Sequence, residues 1–155
     1  MHTDQPMEDI LVQEYHLVRA DTGKRLLNLI VDIIAFYIFA MFIGVLLAVL
    51  SPEALAAMDD PGFDLIARIL SMVLYALFMG SCEALFKGKS LGKLVTRARA
   101  VNLDGSPISA STAFVRGFAR AVPFCFLSAF GSPCNPWQDS WTNTMVIDEK
   151  TSVLQ

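Results

Sequence analysis

The 155 residues leave room for one domain. Hydrophobic residues make up 54% and charged residues 17%, against about 45–50% and about 25% in soluble globular proteins. The net charge of −3 is segregated, with acids at 1–14 and 53–64 and bases at Lys24, Arg25 and 87–99. Long stretches are left almost bare, which points to lipid, and no basic face carries the interleaved aromatics that nucleic acid would require.

The first 22 residues are polar and read as a tail, with a little order expected at 10–17 and two solvated histidines, His2 and His16. The tail lacks the basic start of a cleaved signal peptide, so the apolar segment after it is expected to stay in the mature protein. Residues 26–50 follow, with Asn28 and Asp32 as the strongly polar members. About 20 apolar residues cross the hydrocarbon layer, so this segment is read as the first transmembrane helix. Residues 51–64 hold two prolines, a glycine and four acids. They form a connector, with a helical turn expected at 53–58 capped by Ser51 and opened by Pro52.

Residues 65–86 are the second spanning segment, with Arg68 near one end and Glu83 near the other. The basic loop of Lys87, Lys89 and Lys93 follows, and 94–102 is read as a short strand before the Asp104-Gly105 turn. Segment 111–131 is apolar but carries Arg116, Arg120 and Pro123. Each arginine at the centre of a spanning helix costs about 2.5–3.5 kcal/mol. An interfacial or re-entrant helix that bends at Pro123 is therefore expected instead of a third crossing. Trp137 and Trp141 suit the headgroup level, and 142–148 reads as a second strand. The fold class is an all-α membrane protein: two transmembrane helices, a third re-entrant or interfacial segment, and a small two-stranded β element.

Lysine and arginine near the membrane ends set the orientation. Arg19, Lys24 and Arg25 precede the first helix, Lys87, Lys89, Lys93, Arg97 and Arg99 follow the second, and the loop 51–64 has none. The N-terminus and the basic loop are therefore expected in the cytoplasm of a multi-pass cell-membrane protein.

Ionisable residues at membrane depth face protein or water and are where function is sought. Arg25, Asn28 and Asp32 share one stripe of a helix. Glu83 lies in the same half of the bilayer, and Arg116 and Arg120 share a face that could meet both carboxylates. Arg68, Ser71, Tyr75, Met79 and Cys82 form a polar-leaning stripe on the second helix. These charges serve either to hold amphipathic pieces together in lipid or to form a transport or ligand site, and the first use is the commoner. The run 87–93 lacks the GxxxxGK[ST] spacing of a phosphate loop, so its charge is assigned to the positive-inside bias and to anionic headgroups. Cys82, Cys125 and Cys134 form no metal-ligand pattern, and a Cys125–Cys134 disulfide is conceivable. No catalytic constellation, metal set or cofactor site is found, so the chain is not expected to be an enzyme.

The ordered blocks resemble the RDD family of bacterial membrane proteins. They are Thr22-Gly-Lys-Arg25 leading into Asp32, Gly88-Lys-Ser-Leu-Gly-Lys93 after the second apolar segment, and Gln138-Asp139 ahead of Thr144-Met-Val-Ile147. The family is named for an arginine and two aspartates, and the resemblance places these at Arg25, Asp32 and Asp139. Gln138 stands where the family usually has histidine, and the third hydrophobic stretch is shorter than in many members. The resemblance, covering 22–150, implies transport of a small ligand or cation/proton exchange. Two crossings enclose no pathway, so a transporter would be at least a dimer. The alternative is an accessory subunit that anchors or scaffolds a partner membrane protein.

Overall fold

The computed structural model describes residues 17–58, 61–122 and 136–152. Its first element, α1 (Thr22–Leu50), starts a full turn before the apolar run because Asp21 accepts a hydrogen bond from the Gly23 amide at 3.0 Å and caps it. At the far end the Ser51 amide donates to Leu47 O at 2.8 Å, and α2 (Pro52–Met58) follows as the short helix expected in the connector. A 3-10 turn over Pro61–Phe63 leads into α3 (Asp64–Leu85). Both α1 and α3 are long and apolar enough to cross a membrane.

The burial of α1 is inverted relative to a soluble helix. Asn28 and Asp32 are its buried residues, while Tyr37 is 68% and Val49 75% exposed. A helix wrapped in lipid has this pattern, because the apolar side chains need no protein cover and the polar ones do. Aromatic rings link α1 to α3: Phe36 meets Tyr75 edge-on at 5.0 Å, and Phe39 stacks on Phe78 at 4.9 Å.

The described residues place a compact cap at one end of these helices. Expected to begin a strand at 94, the chain instead forms α4 (Leu91–Thr96). Ser90 caps that helix through the Lys93 amide, and Arg97 ends it in the left-handed region at φ 56°. Only then does β1 (Ala98–Asn102) begin. The Asp104-Gly105 turn is present, with the Gly105 amide donating to Asn102 O at 2.9 Å. Next come α5 (Ala110–Ala121), α6 (Trp137–Trp141) and β2 (Thr144–Asp148). The strands pair antiparallel, Ala98 opposite Asp148 and Asn102 opposite Thr144.

The tail is not wholly apart from the fold. The Ala20 amide donates to Val146 O at 2.9 Å and the Asp148 amide to Val18 O at 3.0 Å, so residues 18–20 line the free edge of β2. Ala20, Ala98, Ala100, Ile108, Ala113 and Val146 form the cap's small apolar core.

Helix α5 runs along α3. A Cβ on Gly117 would lie 2.4 Å from Ala76 O and 2.8 Å from Gly80 N, so the two backbones touch there. The face of α3 that meets α5 is Ala76, Met79, Gly80 and Glu83. Of the polar-leaning stripe, Met79 lies on this face, while Arg68 and Ser71 are exposed. Helix α5 ends at Ala121, before Pro123, which disfavours the helical conformation of the residue ahead of it. The bend and return expected over 123–131, the ordering at 10–17, the two histidines and the Cys125–Cys134 pair lie outside the described residues.

Candidate functional site: a buried ion network

Five helices and the start of β2 converge on three carboxylates. Asp32, Glu83 and Asp139 are 3%, 1% and 1% exposed, too deep for any of them to rely on bulk water. Each must find its donors within the protein.

Asp32 finds them in the basic loop. One oxygen accepts from Ser90 Oγ at 2.7 Å and the other from the Gly92 amide at 2.7 Å. Arg120 Nη1 stands 3.7 Å away. Asn28, one turn earlier on the same stripe, holds the same loop. With its NH2 turned to satisfy its donors, it reaches Gly92 O at 2.9 Å, Lys24 O at 3.2 Å and Thr96 Oγ1 at 2.5 Å. The approach is close enough that a Cβ on Gly92 would lie 2.3 Å from Asn28 O. The two buried polar residues of α1 therefore serve as the seat of α4.

Glu83 is the hub. Oε1 accepts from Lys93 Nζ and Arg120 Nη2, both at 2.6 Å, and Oε2 accepts from Arg116 Nε at 2.8 Å. Arg116 is fully buried and carries the connection onward: its Nη1 donates to Asp139 Oδ1 at 2.8 Å and to Thr144 Oγ1. Arg25 Nη1 donates to the other oxygen of Asp139 at 2.7 Å, and its Nε to Ala20 O at 3.2 Å. Arg120 Nε donates to Gln138 Oε1 at 3.0 Å. The chain of contacts thus runs from Arg25 through Asp139, Arg116, Glu83 and Arg120 to Asp32.

One expectation about placement is corrected here. Lys93 does not face headgroups; it is 2% exposed and paired with Glu83. Burial, set against Glu83 and reinforced by the Arg120 and Arg116 guanidiniums, pushes its ammonium down to about 7. Trp137 and Trp141 stack on each other at 5.8 Å, and Asp139 turns inward from the short helix they share.

Of the other loop bases, Lys87 is exposed and Lys89 pairs with Glu149 at 2.8 Å. Arg99 also reaches Glu149, at 3.0 Å, and Lys24 pairs with Asp148. The lysine bond, above all, holds the Asp148 carboxyl below the ordinary aspartate range. Sequence reasoning missed Ser90, Gly92, Thr96, Gln138 and Thr144 as partners of the network. The signal for the first two was present, since serine ahead of a short helical run is a common cap. Among the described residues, no group of three or more His, Cys, Asp or Glu side chains could hold a metal ion.

No curated protein and no solved structure shows a match to this chain. The sequence profile of the RDD family matches residues 19–136, which include Arg25, Asp32 and the 88–93 block and stop three residues short of Asp139. With that match spanning most of its length, the chain belongs to the RDD family, a family of membrane proteins.

Proposed function

We propose that this protein is a non-enzymatic accessory subunit of the cell membrane, whose two spanning helices hold a basic cap at the cytoplasmic face for a partner membrane protein. The observation that carries this reading is how Asp32 is used. Both of its oxygens are taken by the Ser90 hydroxyl and the Gly92 amide of the cap, so the carboxylate serves as a docking group. Glu83 and Asp139 are likewise taken up by Lys93, Arg120, Arg116 and Arg25.

Cation/proton exchange at these carboxylates finds less support. A cation site needs carboxylate oxygens to spare, and here four bases face three acids, so a further cation would be repelled. The orientation with the N-terminus inside rests on the lysines and arginines at the cap end and their absence from the loop 51–64. The exposed apolar faces of α1 and α3 are assigned to lipid, with part of that surface left for the partner or a second copy.

The test is reconstitution. In liposomes, folded wild-type protein is expected to give no exchange of sodium or potassium for protons, and Asp32→Asn to lower the yield of folded protein. Robust exchange, abolished by Asp32→Asn in protein that remains folded, would overturn the reading.

A further inference from the structure

The network described above is unbalanced in two respects that coincide at one residue. Arg25, Lys93, Arg116 and Arg120 face Asp32, Glu83 and Asp139, so one positive charge is in excess. Arg116, 0% exposed, also has a donor without an acceptor. Its Nε and Nη1 are engaged, while Nη2 has no hydrogen-bond partner among the described residues. Buried polar groups are normally satisfied, and a charged one left open is the costliest kind. The residues 123–135, next in the chain after α5, contain no Asp or Glu that could supply the missing negative charge.

We propose that the network binds one small monovalent anion of about chloride size at Arg116 Nη2, which supplies the missing acceptor and the missing negative charge together. The chemistry of the cluster selects such a ligand over a cation, because every carboxylate oxygen near it already accepts a hydrogen bond. It also selects against a large anion, because the donor is fully enclosed. The inference does not depend on the accessory reading, since a bound anion would complete the lock in a scaffold or a transporter alike.

Lys93 links this site to protons. The three arginines cannot release a proton in the accessible range, whereas a lysine can. Lys93 faces Glu83 from α3 and Arg116 and Arg120 from α5, with Asp32 of α1 beyond Ser90. When Lys93 is neutral, three cations balance three carboxylates and the call for an anion disappears. Anion binding and protonation of Lys93 therefore favour each other.

The experiment is thermal unfolding of the full chain in nanodiscs, with sodium chloride exchanged for sodium gluconate at constant ionic strength. Chloride is expected to raise the Tm at pH 6, and its apparent affinity to fall about tenfold per pH unit above about 7, where Lys93 loses its proton. Lys93→Met, with its helical circular dichroism intact, is expected to lose the chloride increment. Arg116→Lys keeps the charge but removes Nη2 and is expected to lose it too. Absence of a chloride increment in the wild type, an increment independent of pH, or an equal increment in folded Lys93→Met would each overturn the proposal. The pH profile of the wild type keeps the test decisive should either variant fail to fold.

Discussion

Glu83 accepts hydrogen bonds from Lys93, Arg116 and Arg120 on two other helices, which makes it the residue whose neutralisation leaves most behind. Glu83→Gln would leave three buried cations around a neutral amide. Breaking one side of a buried ion pair costs about 3–5 kcal/mol, so a loss of at least that size is expected in reversible unfolding in micelles. A milder effect belongs to Asp148, whose carboxyl is held below the ordinary aspartate range chiefly by Lys24. A lowered folded value stabilises above the unfolded pKa and is lost as pH falls through the folded one. Stability is therefore expected to decline on acidification below the ordinary aspartate range, and Asp148→Asn to flatten that part of the profile. Helical spacing was enough to put Arg25, Asn28 and Asp32 on one stripe and Arg116 and Arg120 on one face. It could not show that Asp32 binds a hydroxyl and an amide, because those donors lie 58 and 60 residues away in what reads as a loop.

The segment 88–96 shows why that loop was misread. Its lysines resemble a solvated flank, and its partly alternating apolar residues resemble a strand. Its conformation is instead set by what it docks onto: Ser90 caps α4, Gly92 lies against the backbone of α1, and Lys93 enters the network. Such a six-residue helix is too short to be stable alone, so local sequence carries little of the information. Gly92→Ala tests the contact. With Asn28 O only 2.3 Å from the added Cβ, the variant must push α4 away, at about 1–3 kcal/mol or more. The expected readout is a lower Tm with a newly accessible Lys93 amine in labelling experiments. The two long helices, by contrast, were readable from hydropathy alone, because a lipid-facing surface needs only length and apolarity. The first of them starts one turn earlier than the apolar run, since the Asp21 cap and the polar residues 22–25 extend α1.

The molecule as a whole is two apolar rods bolted to a small polar cap, and the bolts are charges. Its apolar core in the cap is a handful of small side chains, too little to hold the cap in place by burial alone. The ion network and the Asn28 and Asp32 contacts therefore carry the connection between cap and helices. That claim is tested most directly by hydrogen exchange of the protein in nanodiscs, comparing wild type with Asp32→Asn. The Gly92 amide and its neighbours over 88–96 are predicted to be protected in the wild type and to lose that protection in the variant, while 26–50 stays protected in both. Equal protection of 88–96 in the two proteins would contradict the account.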